Sequence, residues 1–355
     1  MTSDRVFSLG GKHVNDSIPV FDLHSDIPAD IARRRALGER AVFKTHHFQR
    51  LIAGGIQAAI LVLWVEPEYR NNSAQRLIEL LGSLLADLYE SADCVQLVTN
   101  RQTLEDCIST GKFAVLLGVE GMTFVEQWPL ASTPEITPIR KQDGLFEKFH
   151  QSFSILKQVP LRHAIFAWGE QNEIASGPGV FFNASGRCGL SDFGRYIVKE
   201  FEQSNVIIDI SHLDDRSIED VLNTAKGIVV ASHSNARALC EHPRNLTDDQ
   251  LREIGRRDGV VGINAYAKFI HANEANVDRY IDHIVYIANL IGIDHVAFGF
   301  DFMDYLPDSF GFSEVTRGLT SAEDVPELIE RLYKRGFTNK EVKQLAFQNA
   351  LRIIG

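Results

Sequence analysis

Six residues of this chain have types and positions suited to shared chemistry: His24, Asp26, Glu120, His212, His233 and Asp301. Each closes a run of mainly apolar residues, in the segments FDLHSD, LLGVEG, IIDISH, IVVASH and VAFGFD. Three imidazoles and three carboxylates exceed the needs of one tetrahedral zinc, but suit two divalent ions ~3.5–4 Å apart that share a carboxylate. His24 and Asp26 alternate with Ser25, so an extended strand turns both side chains to one face, where they can grip a single ion. Glu120, from another strand, is the candidate bridge, and His212 with His233 would hold the second ion. Asp301 has two readings, a further ligand or a group that carries a proton from the attacking water to the leaving amine, and we assign proton transfer first. A lone histidine at a strand end is ordinarily hydrogen-bonded or solvated, and HxD alone is a weak motif. The metal reading rests on all five strand ends together.

Such residues meet only if the strands do. Short β-branched runs recur at Pro19–His24, Gly55–Trp64, Phe113–Glu120, His163–Trp168, Val206–His212, Ile228–His233, Val260–Asn264 and Val296–Asp301. Helical patterns follow at Ala74–Ser91, Phe193–Gln203, Asp215–Lys226, Asp248–Arg257, Val277–Ile291, Asp324–Arg335 and Asn339–Ile354, with Thr247 and Thr338 placed as caps. Eight strands alternating with helices predict an α/β fold of the (β/α)8 TIM-barrel, metal-dependent hydrolase type, whose strand ends open onto one mouth. An open doubly wound sheet shares the alternation. It usually has a Gly-rich phosphate turn after its first strand, and here that strand ends in His24-Ser25-Asp26. No linker, repeat or low-complexity tract divides the 355 residues, so one barrel domain over 1–355 is expected, with active-site loops at 121–143, 169–189 and 302–320.

Composition narrows the function. Apolar residues make up 45% and charged residues 23%, ordinary for a globular chain, and the net charge of −11 with no basic cluster argues against nucleic acid. The longest apolar stretch, 54–65, is too short for a bilayer, and the N-terminus has no basic-then-apolar leader, so a cytoplasmic location and no membrane partner are expected. Four scattered cysteines (Cys94, Cys107, Cys188, Cys240) make no disulfide framework and read as small buried residues. His46, His47, His242, His271, His283 and His295 fall away from strand ends and read as solvated or capping groups.

The segments FDLHSDIP (21–28), GVEG (118–121), LSDFGRYIV (190–198), DISH (209–212), SHSNARALCEHPRNLTDDQL (232–251) and GFDF (299–302) resemble, in order, the membrane or renal dipeptidase family of zinc peptidases. The resemblance implies a binuclear zinc barrel related to the amidohydrolases. It implies hydrolysis of dipeptides with a free C-terminal carboxylate by a metal-activated bridging hydroxide, and acceptance of D-residues on the C-terminal side. Carried across, the metal ligands are His24, Asp26, Glu120, His212 and His233, the catalytic aspartate is Asp301, and Arg244 in HPRNL holds the substrate carboxylate. The best-known members end the fourth strand with a histidine that supports the tetrahedral oxyanion. Here the segment is FAWGEQN, and we expect Trp168, in that place, to wall the substrate pocket. Vertebrate members are secreted and lipid-anchored; neither a signal peptide nor an apolar tail is expected here, and relatives suggest a homodimer. Another amide bearing a carboxylate, such as an N-acyl amino acid or a cyclic amide, is the alternative substrate. A non-catalytic barrel with structural metals would not need Asp301.

Overall fold

Nine parallel strands form the sheet of the computed structural model, which describes residues 18–130, 141–179, 189–308, 311 and 314–355. They are β1 (Val20–Ser25), β2 (Ile56–Trp64), β3 (Val95–Leu97), β4 (Phe113–Glu120), β5 (Leu161–Ile165), β6 (Ile207–Asp209), β7 (Val229–Val230), β8 (Val261–Ile263) and β9 (Val296–Phe298). Hydrogen bonding runs β7-β6-β5-β4-β2-β1-β9-β8, and a parallel bridge from Ala231 to Val261 joins the two ends of that path into a ring. The fold is the expected (β/α)8 barrel.

The ring closes through two close approaches. A Cβ at Gly262 or at Gly299 would collide with the Ser232 carbonyl oxygen, so the chain just after β7 can lean against β8 and β9 only because both positions are glycine. Alternate residues of the central strands feed two layers. Ala59, Leu61, Leu63, Val115, Leu117 and Val119 pack in the cluster that includes Leu77, Leu80 and Leu84 of the helix Ser73–Glu90. Ala58, Ile60, Val62 and Leu116 pack on the other face, and by strand alternation that face of β4 ends in Glu120.

Three expectations need correction. Among the described residues there are nine strands, eight in the ring and one beside it: β3 lies off the ring and pairs with Phe113–Val115 of β4, while β5 takes the other end of that edge from Leu117 to Glu120. Three residues are too few for a periodic signal. Several strands also end early. His212, His233, Asp301 and Trp168 all lie in the turns just beyond β6, β7, β9 and β5. Helices occur at Ile27–Ala36, Arg101–Ser109 and Lys141–Gln158 that the periodicity did not mark, and the last one, expected as continuous from 339 to 354, widens to π geometry at Gln344–Gln348.

The other helices stand within a few residues of expectation, and Thr247 and Thr338 each form a capping box, with Gln250 and Glu341. The loops 121–143, 169–189 and 302–320 follow β4, β5 and β9, although 131–140, 180–188, 309–310 and 312–313 lie outside the described residues. So does Cys188; the other three cysteines are free and buried. Among the described residues no helix is long and apolar enough to cross a membrane.

Candidate active site

Glu120 is the centre of the cluster. Its Oε2 lies 3.4 Å from His24 Nε2, and its Oε1 lies 3.0 Å from His212 Nε2 and 3.6 Å from His233 Nε2. His24 Nε2 is also 3.7 Å from Asp26 Oδ2 and 3.8 Å from Asp301 Oδ1. The barrel thus brings all six strand-end residues together. His24, Glu120 and His233 each offer a ligand atom within 4.8 Å of one another, and so do His24, Asp26 and Asp301.

Local structure sets each orientation. Asp26 is the residue before the helix Ile27–Ala36, two after His24, while the intervening Ser25 turns its hydroxyl to Tyr305 at 3.3 Å. The backbones of His212 and Asp301 are left-handed, with φ of 66° and 58°, conformations that cost about 1–3 kcal/mol each in a residue with a Cβ and that bend the chain out of strand geometry. Gly121 has φ of 75°, turning the chain sharply after Glu120. Asp301 Oδ2 accepts from Asn264 Nδ2 at 3.0 Å, leaving Oδ1 toward His24.

At the His212–Glu120 contact two lone pairs face each other, whereas at His24 burial, which lowers the imidazole, is outweighed by Glu120 and Asp26 and the ring stays well above its usual value. His212 Nδ1 donates to the Trp168 carbonyl, so in the neutral ring Nε2 carries the lone pair. Burial, with Arg244 nearby, pushes His212 down to about 4, so that ring is neutral. Burial, with His24 and His212 beside it, pushes His233 well below its usual value. Burial raises Glu120, but His24 and His212 outweigh it and keep the carboxyl well below the usual range. His212 Nε2 and Glu120 Oε1 therefore meet with no proton between them. His24 Nε2, Asp26 Oδ1, Glu120 Oε1 and His233 Nε2 are all buried without a hydrogen-bond partner. Buried polar atoms are rarely left so, and this donor set of imidazole nitrogens and carboxylate oxygens fits divalent metal ions such as zinc.

Arg244 is 3% exposed, next to the cluster. Its Nη2 donates to the His233 carbonyl at 3.3 Å, its guanidinium lies 5.2 Å from the centre of the Phe269 ring, and its Nε is buried without a partner. Burial lowers its pKa to about 10, with Asp301, Glu120 and Asp209 opposing, so it stays charged. Trp168 stacks on His212 at 5.8 Å and tilts against Trp64 at 5.3 Å; both indoles line the cavity over Asp26, Glu120 and Asp301.

Sequence reasoning missed the residues beneath the candidate ligands. Asp22 Oδ1 accepts from the backbone of His24 and Phe300, and Asp209 Oδ1 from the backbone of Ser211 and Ser232. The fully buried His163 meets Asp209 Oδ2 at 2.7 Å. Both acids stood inside the FDLHSD and DISH segments, and an acid two or three residues before a strand-end histidine was the available signal. Two histidines read as solvated or capping are instead core groups. His47 is buried against Asp30, and His283 joins the Ala236 N–H to the Ile270 carbonyl. Among the described residues no thiol is activated: burial pushes Cys107 up to about 11 and raises Cys94 and Cys240.

A closed parallel barrel with buried imidazoles and carboxylates at its strand ends is the architecture of (β/α)8 metal hydrolases. Within that class, the model of the membrane dipeptidase family, peptidase family M19, matches residues 146–355, and the chain belongs to this family. An uncharacterised dipeptidase of Schizosaccharomyces pombe is 35% identical over 168 residues, 46% of this chain and 39% of that protein. A dipeptidase of Aspergillus oryzae is 36% identical over 170 residues, 47% of this chain and 39% of that protein. The matches thus span about two fifths of the length of these curated relatives. Among solved structures, a metallopeptidase of Rhodobacter sphaeroides liganded with a phosphinate mimic of L-Ala-D-Ala superposes with a TM-score of 0.79 at 19% identity, over 96% of this chain and 99% of that one. An amidohydrolase of Pseudomonas aeruginosa gives 0.72 at 22% identity, over 95% of each. At these identities the structures establish the shared fold.

Proposed function

We propose that this barrel is a dipeptidase that holds two zinc ions and cleaves dipeptides with a free C-terminal carboxylate. The observation that carries the reading is the set of buried, unpartnered ligand atoms around Glu120. His24 and Asp26 would hold one ion, His212 and His233 the other, with Glu120 between them. Ions held there would supply a water of lowered pKa, from about 15.7 toward ~7, and Lewis acidity for the scissile carbonyl.

The remaining work falls to the chain. Asp301, fixed through Oδ2 by Asn264, presents Oδ1 to take the proton of the attacking water and return it to the leaving amine. Arg244 offers its free N–H to the terminal carboxylate, a charge-assisted contact made stronger by burial against Phe269. Trp168 and Trp64 exclude water and bound the substrate side chain, which favours short substrates. Both names among the fungal relatives and the dipeptide mimic held by the bacterial metallopeptidase support this choice over other amides.

The test joins metal analysis to a substrate panel. Protein purified without chelator should carry close to two equivalents of zinc and cleave L-L or L-D dipeptides, but not the corresponding dipeptide amides or N-acyl amino acids. A folded, active, metal-free preparation would end the mechanism, and equal cleavage of amides would remove Arg244 from its role.

A further inference from the structure

A second arginine stands behind Trp168, beside the residue that follows Glu120, and the reading above gives it no task. Arg70 follows β2 in the short helical turn Pro67–Asn72, and only 13% of its side chain is exposed. Its Nη1 donates to Glu170 Oε1 at 2.7 Å, and its guanidinium lies 5.2 Å from the centre of the Trp168 ring. Glu170 is itself held, by the Thr123 hydroxyl at 2.8 Å and the Gly169 N–H at 3.2 Å. The guanidinium is therefore fixed at one nitrogen. Its Nε and Nη2 are buried and have no hydrogen-bond partner.

Those two atoms form the side-on fork of the guanidinium, two parallel N–H donors spaced for the two oxygens of a carboxylate. An arginine kept only for structure ordinarily fills this fork, because a buried donor left without an acceptor is costly. Glu170 balances the charge of Arg70 but does not use the fork. A group that only donates cannot take an ammonium, so the free α-amino group of a peptide is not its ligand.

Position decides which carboxylate it is. Arg244 stands on the β7–β8 side, touching the His233 carbonyl and Phe269. Arg70 stands on the β2–β4–β5 side, where a Cβ on Gly121, the residue after Glu120, would lie 3.5 Å from its Nη1. In the ring order these sides are opposite, with the Glu120 cluster between them. A dipeptide with its terminal carboxylate at Arg244 and its scissile bond over Glu120 would extend its first residue toward Trp168, on the side where Arg70 lies. Arg70 leans on Trp168, which in turn stacks on His212, so it is set back from the ligand atoms and reaches a side chain rather than the scissile carbonyl.

We propose that Arg70 is a specificity-determining residue that selects dipeptides whose first residue carries a side-chain carboxylate. This rests on the dipeptidase reading and names its substrate class. The test compares matched acid and amide substrates, Glu-Ala with Gln-Ala and Asp-Ala with Asn-Ala, with Ala-Ala as the neutral reference, on the zinc-loaded enzyme. The acid should be preferred by about tenfold to a hundredfold in kcat/KM, the scale of a charge-assisted bidentate contact. Arg70→Gln should bring that ratio to about one, and Arg70→Lys, which keeps the charge and loses the fork, should restore only part of it.

Ala-Ala cleavage with an acid-to-amide ratio near one in the unaltered enzyme overturns this inference and leaves the dipeptidase reading intact, and that arm needs no variant to fold. A ratio unchanged in Arg70→Gln, or a uniform fall in kcat for acid and amide alike, also overturns it. Failure to cleave any of these dipeptides overturns the dipeptidase reading, and the selection falls with it.

Discussion

On one side of the barrel mouth, Asp22 Oδ1 accepts the N–H groups of His24 and Phe300, joining β1 to the turn after β9. On the other, Asp209 Oδ1 accepts those of Ser211 and Ser232, joining β6 to the turn after β7. The device is the same: one carboxylate oxygen ties two neighbouring strand ends together beneath the candidate ligands. The electrostatics differ. Burial pushes Asp22 up to about 7, with the two N–H groups opposing, whereas burial of Asp209 is outweighed by His163 and its own donors, and that carboxyl stays below the usual range.

The candidate ligands above follow the same division. On the β1–β9 side burial pushes Asp26 up to about 6, and burial raises Asp301 well above the usual carboxylate range, helped by the neighbouring acids. On the β6–β7 side burial pushes both imidazoles down. One side is rich in acids that need positive charge, and the other offers neutral nitrogens ready to donate lone pairs. Glu120 touches both sides. The comparison teaches that the two sides of the site are built alike in backbone and unlike in charge, a difference that cations held between them would answer.

Removing the shared carboxylate should break that arrangement outright. Glu120→Gln is expected to lower zinc content below two equivalents and hydrolysis by about 10³ or more, since metal activation supplies several kcal/mol of the barrier; unchanged metal content would mean that the two sides bind independently of it. Asp301→Asn sharpens the acid side. If it carries the proton, kcat should fall by about 10²–10⁴ while both equivalents of zinc remain, and loss of one equivalent would make it a ligand instead.

The two supporting acids can then be set against each other by denaturant unfolding. Asp209→Asn strips the charge from the His163 contact and should cost about 1–3 kcal/mol, whereas Asp22→Asn keeps a neutral acceptor for both N–H groups and should cost less. Equal losses would erase the difference drawn between the sides. The smallest effect is expected at Trp168, whose backbone carbonyl accepts the His212 hydrogen bond and whose ring stacking on that imidazole a phenyl can replace. Trp168→Phe should leave kcat nearly intact and change the preference among substrate side chains; a uniform loss of about 10²–10³ would instead mark the indole as an oxyanion donor.

The donor set was legible because barrel chemistry sits at strand ends, and a strand end can be read locally: an apolar run stops and a histidine or acid follows. The same local logic made the caps at Thr247 and Thr338 readable, since a capping box spans four residues. Where each strand stopped was less legible. His212 and Asp301 continue apolar runs in the sequence, yet they lie three residues beyond the ends of β6 and β9 with left-handed backbones, and nothing in those runs marks the turn.

Residue types, their order along the chain and the alternation of strand with helix belong to the sequence, because hydrophobic period and capping are short-range properties. Tertiary structure alone decided the rest: that Glu120 would face His24, His212 and His233, that Asp209 would meet His163 across 46 residues, and that Arg70 would meet Glu170 across 100 and keep its fork open. The physical reason is ring closure. Only when the turn after β7 lies against Gly262 and Gly299 do the strand ends share one mouth, and only there do groups far apart in the chain come within ångströms of one another.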